Sequence, residues 1–190
     1  MNDLILMFTL GIILLCIFLQ YESKHSELTY VKSEIDGNEY LVRNREDKLK
    51  AANMIAKIKN NLNKIVEYLK KNNISDPKVR RLVEKYKPEQ LSESLPNTSY
   101  TSYSVNKGEK IVFCIRSKKT GKLVGMNTIM FVAIHELAHV MSESIGHTPE
   151  FWNNMRYLLK KGIKLGVYKA VDYKSKPVPY CGTTITDSPL

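Results

Sequence analysis

The stretch FVAIHELAHVMSESIGHTPEFW at 131–152 decides how the rest of the chain is read, because it holds three of the four histidines. His135 and His139 stand four apart, so on a helix they project from one face on successive turns, with Glu136 between them. Neutral imidazoles bind zinc well, and a catalytic zinc site uses three protein ligands so that a fourth position stays open. Glu143 continues the stripe of His135 and His139. It lies eight residues past His135, however, about 12 Å along a helix axis, too far for one ion. The third ligand must come from chain that leaves the helix and turns back. Gly146 permits that turn and presents His147 directly after it. Glu143 and Glu150 are then left as partners that could fix a histidine tautomer.

The flanks of the motif are Val132, Ala133, Ile134, Leu137, Ala138, Val140 and Met141, which describe a helix buried on most sides. In such surroundings a His, Glu, His cluster without a ligand is costly. A five-residue HExxH string also arises by chance on ordinary helices, and that reading stands beside the chemical one. The chemical reading is hydrolysis: zinc lowers the pKa of a water, and Glu136 acts as general base and then as general acid.

Working away from this unit, Asn127 or Thr128 can cap its first helix, which is expected to run until Gly146. Thr148-Pro149 then starts a second helix with Phe151, Trp152, Met155, Leu158, Leu159 and Ile163 on its apolar side and Gly166 as its stop. Upstream, 101–106 and 110–116 flank Lys107-Gly108-Glu109 and predict a β-hairpin. The segment between Pro88 and Ser99 reads as loop. Ser75-Asp76-Pro77 opens a short helix ending before Pro88, and Ala52, Ile55, Ile58, Leu62, Ile65 and Leu69 give the stripe of a long amphipathic helix over 45–71. Residues after 166 read as tail with one short strand at most.

Residues 4–21 are apolar apart from Thr9 and Gln20. About 18 residues rise roughly 27 Å, close to a bilayer's hydrocarbon core, which predicts an uncleaved anchor. A signal peptide is disfavoured, since no Lys or Arg precedes the run and no small-residue cleavage site follows it. Lys24, Lys32, Arg43 and Arg45 follow the run, so the positive-inside rule places the remainder in the cytosol. Cys16, Cys114 and Cys181 make no disulfide framework, in keeping with a reducing compartment. The net charge of +10 suits nucleic acid or an anionic leaflet, and equally a set of solvated lysine-rich faces.

The 131–152 stretch resembles the zincin metallopeptidases, more narrowly the SprT-like and WLM group, in which HELxH is followed by a short connection and a His in a GHxxxF setting. Here HELAH, VMSESIG and His147-Thr148-Pro149-Glu150-Phe151 match it. A metzincin would need His at position 145, which is Ile, and a gluzincin would take Glu150. The resemblance covers roughly 110–165. It implies that a strand ahead of the active-site helix binds the substrate backbone, here 110–116 with Ile111, Phe113 and Ile115. For several members it also implies proteins trapped on DNA as substrates. Tyr103, Tyr157, Tyr168, Tyr173 and Tyr180 compete as an oxyanion-stabilising group.

The expectation is therefore α+β: a minimal zincin with a small antiparallel sheet packed on the HExxH helix, a long N-terminal covering helix and one transmembrane helix. Residues 1–21 would be the anchor, 22–43 a stalk and 44–190 a zinc metallopeptidase domain on protein substrates. His135, His139 and His147 would hold Zn²⁺ and Glu136 would be catalytic. A DNA-associated protease and a non-catalytic zinc-binding protein remain as alternatives.

Overall fold

The long helix that covers the core is α2, Lys48–Asn73. Its predicted stripe is buried from Ala52 to Leu69, with Ala51, Met54 and Val66 added. The computed structural model describes residues 2–25, 27–96, 98 and 100–190, with side chains of the first helix described over 5–21. Asp47 precedes α2 without capping it through its side chain. Its carboxylate instead meets Arg116 Nη1 at 2.6 Å. The next helix, α3 (Pro77–Lys85), begins as its local chemistry dictates: the Asp76 side chain accepts from the Lys78 N–H, with Pro77 in the first turn.

Ahead of α2, β1 (Leu28–Lys32) and β2 (Glu39–Arg43) form an antiparallel hairpin. Tyr40 and Val42 of β2 are buried in the core. The expected stalk over 22–43 thus contributes a packed hairpin.

The central sheet departs from expectation. β3 (Leu91–Glu93), β4 (Tyr103–Val105) and β5 (Lys110–Phe113) are arranged β3-β5-β4, with β3 parallel and β4 antiparallel to β5. The sheet is mixed, not antiparallel, and the segment read as loop supplies its third strand. β3 is short and polar, but its Glu93 side chain is fully buried because it has partners. Its carboxylate accepts from Arg116 Nε at 2.7 Å and from the Arg43 backbone N–H at 2.8 Å, so burial leaves no charge unpaired.

The two helices of the deciding stretch are α4 (Met126–Met141) and α5 (Pro149–Lys164). Gly125 takes the N-cap position of α4. Asn127 clamps the backbone of Lys169 from both sides, at 2.9 and 2.8 Å. α4 ends at Met141, five residues before Gly146. The chain closes with a hairpin of β6 (Val178–Tyr180) and β7 (Thr183–Ile185). A disulfide joins Cys114 to Cys181, which corrects the reading that the cysteines stay unpaired and removes its support for a reducing compartment.

The expected anchor is also corrected. Helix α1 forms over Asn2–His25, yet among the described residues no helix is long and apolar enough to cross a membrane. Asp3 and Glu22 bound its uncharged stretch at 18 residues, about 27 Å of rise against a hydrocarbon core of about 30 Å. The single-pass localisation and the cytosolic placement of the remainder fall with the anchor.

Candidate metal centre and cleft

α4 carries His135 and His139 on one face, and the loop 142–148 brings His147 to meet them. The loop turns at Gly146, whose φ of +82° is one that glycine adopts without strain. The helix then restarts at once, the Thr148 side chain accepting from the Phe151 N–H with Pro149 in the first turn. One candidate ligand atom from each of the three histidines falls within a sphere of mutual distances under 4.8 Å. His135 Nε2 lies 3.2 Å from His139 Nε2 and 3.1 Å from His147 Nε2. Two nitrogens bound tetrahedrally at the usual zinc distance stand about 3.3 Å apart. The donor set therefore fits zinc both in kind and in spacing.

Phe151 is the platform under this cluster. Its ring stacks on His139 at 4.3 Å and meets His135 and His147 edge-on at 4.8 and 4.7 Å. Trp152 lies 5.5 Å from the His147 ring. Burial, with neighbouring imidazoles adding to it, lowers the pKa of His135 to about 3. Burial likewise lowers that of His139 to about 4. Both rings are thus neutral near pH 7, the form that donates a lone pair to a metal.

Glu136 lies against the same cleft. Burial pushes its carboxyl up to about 8, opposed only in part by the backbone N–H of Ser104, which donates to it. Glu143 and Glu150 have other tasks than fixing histidine tautomers. Glu143 pairs with Arg81. Glu150 accepts from the backbone N–H groups of Glu143 and Ser144 at 2.8 and 2.9 Å. It therefore braces the loop that carries His147.

The cleft around these groups has a volume of about 730 Å³. One wall is the segment 101–104, which contains most of β4, and another is the C-terminal hairpin. Ile111, Phe113 and Ile115 are fully buried, and β5 has a neighbour on each side. These residues cannot receive a substrate; the exposed edge of the sheet beside the cleft is β4. Of the five candidate tyrosines only Tyr103 and Tyr180 line the cleft. Tyr168 and Tyr173 pack on Phe131 at 6.0 and 4.8 Å, and Tyr157 lies under Lys78 and Lys161.

Sequence reasoning passed over two further groups. Lys107, at the tip of the β4–β5 hairpin, donates to the backbone carbonyls of Ser142, Glu143 and Ser144. The segment 178–187, read as tail, forms a wall of the cleft. Its one local signal was Gly182 in a two-residue turn.

The family model for the WLM domain matches residues 34–177. The chain is 36% identical over 185 residues to "Uncharacterized protein R325" of Acanthamoeba polyphaga mimivirus, covering 95% of this chain and 93% of that protein. It is 38% identical over 69 residues to "Uncharacterized protein 136R" of Invertebrate iridescent virus 6, covering 35% of this chain and 38% of that one. Among solved structures its fold is similar to the crystal structure of Wss1 from Saccharomyces cerevisiae. The TM-score is 0.50 at 24% identity, over 66% of this chain and 87% of that one.

Proposed function

The chain belongs to the WLM domain family, and from that premise we propose that it is a zinc-dependent metallopeptidase that hydrolyses peptide bonds in proteins. The observation that carries this reading is the convergence of His135, His139 and His147 beside a deeply buried Glu136. His135, His139 and His147 would hold the metal. Zinc in that position supplies a Lewis acid that polarises a carbonyl and makes a water acidic.

The protein's own groups do the rest. Glu136 takes a proton from the attacking water as its oxygen bonds to the carbonyl carbon, then delivers that proton to the amine nitrogen as the C–N bond breaks. A carboxyl whose pKa is raised by burial is suited to both halves of this task. The Ser104 N–H donates to this carboxyl group and holds it in place. The substrate backbone adds as a strand along β4, whose far edge is not occupied by β5. The peptidase unit, expected over 44–190, is best drawn to include the β1–β2 hairpin packed on α2.

The resemblance to SprT-like and WLM peptidases brings a second substrate class, proteins held on DNA. The charge of +10 favours it, and no membrane-spanning helix is found among the described residues to set against it. The primary test uses the zinc-loaded chain on an unfolded protein substrate. Wild type should cleave, whereas Glu136→Gln should retain zinc and lose cleavage by at least about a hundredfold. Equal cleavage by the variant would refute the mechanism.

A further inference from the structure

The C-terminal hairpin is built as a fixed wall. Its two-residue turn places Cys181 at φ +47° and Gly182 at φ +83°, the pair of left-handed residues that a type I′ hairpin requires. Asn or Asp is the usual first residue there. A cysteine tolerates that backbone less readily, and its disulfide to Cys114, just past β5, supplies the reason for its presence. A second tie lies next to it: the hydroxyls of Tyr180 and Ser102 are 2.7 Å apart, and Ser102 Oγ accepts from the Cys114 N–H.

The register pairs Val178 with Ile185 and Tyr180 with Thr183, so these four side chains share one face of the hairpin. Tyr180, Thr183 and Ile185 of that face line the cleft. Phe131 and Val132 of α4 and Met155 of α5 line the same cleft. Phe131 and Val132 precede His135 and Glu136 by four residues each. Phe131 and Val132 therefore stand about one helical turn, roughly 6 Å along the axis of α4, from His135 and Glu136. That distance is within reach of a side chain flanking the bond to be cut.

We propose that the C-terminal hairpin, held by the Cys114–Cys181 disulfide, is the specificity wall of the cleft, and that Ile185 with Tyr180 selects substrates carrying a bulky apolar side chain next to the scissile bond. This deepens the peptidase reading and rests on it.

Trp152 is the one tryptophan of the chain and lines the cleft, so its fluorescence reports peptide binding without turnover. Zinc-loaded Glu136→Gln protein is titrated with a Ser/Gly-rich nonapeptide carrying one Leu and with the same peptide carrying Gly. The Leu peptide should bind about tenfold tighter, as expected when one such side chain leaves water. Adding Ile185→Ser should bring the ratio to about twofold, and Ile185→Leu should preserve it, with zinc content and circular dichroism unchanged in both. Equal affinities in the parent, no fluorescence response to either peptide, or an unchanged ratio in Ile185→Ser would overturn the assignment.

Dithiothreitol gives two electrons and two protons to convert the disulfide into two thiols and leaves as its cyclic disulfide. After thiol titration confirms reduction, the ratio should fall as in Ile185→Ser; an unchanged ratio would overturn the role of the disulfide. Absence of cleavage by the wild type would count against the peptidase reading alone, because the binding ratio requires no turnover.

Discussion

Glu136 is the residue whose environment most constrains the chemistry. Its ordinary carboxyl pKa near 4.5 is pushed up to about 8 by burial, so without metal the folded state keeps a proton that the unfolded chain releases. Between these values the folded state binds more protons, and stability falls as pH rises. Its contribution is complete below about pH 4.5 and is lost as pH passes through about 8. Glu136→Gln has no proton to lose. In the presence of a chelator the variant should therefore gain stability over wild type from pH 5 to pH 9, by an amount on the order of a few kcal/mol. Urea unfolding at the two pH values measures this. A difference that does not change with pH would show that the carboxyl is not held neutral by its surroundings.

The helix, break and helix unit was readable in the sequence because its instructions are local. His135 and His139 are spaced by one turn, and Thr148-Pro149 carries its own cap and start; the helix expected to run to Gly146 instead ends at Met141, and Gly146 only turns the loop that follows. The stripe of α2 was readable for the same reason. β3 was not: Leu91-Ser92-Glu93 has no strand pattern, and Glu93 is buried only because Arg43 and Arg116 come from 50 and 23 residues away to pair with it. The brace on the metal loop was equally hidden. Lys107 reaches three backbone carbonyls 35 to 37 residues further on, and nothing beside it in the chain announces that. Lys107→Met should leave the helices intact and weaken zinc binding by about tenfold, the usual effect of losing a group that positions a ligand. Competition with a chromophoric chelator would measure it. Unchanged affinity would mean that the loop holds His147 without Lys107.

For the molecule as a whole, strand order was the part that no single segment encoded. The run Ile111, Val112, Phe113, expected as the substrate-facing strand, is apolar on both faces and lies buried at the centre of the sheet. The substrate-facing edge therefore passes to β4, one hairpin arm earlier. The terminal hairpin was missed because its partner, Cys114, lies 67 residues back. With the anchor set aside, the basic surface becomes the feature to test against DNA. If the substrates are proteins held on DNA, single-stranded or duplex DNA should stimulate cleavage. The log of DNA affinity should then fall linearly with log salt, by about 0.9 per neutralised phosphate for duplex. Cleavage that is indifferent to DNA at low salt would assign the lysines to solvated faces.

The central claim is that the loop after α4, turning at Gly146, brings His147 back to complete a three-histidine zinc site. Zinc stoichiometry with chelator competition tests it directly, on wild type, His147→Ala, Glu143→Ala and Glu150→Ala. The account predicts one zinc per chain in wild type, retention in both glutamate variants, and loss of tight binding in His147→Ala. Zinc held unchanged by His147→Ala but released by either glutamate variant would contradict it.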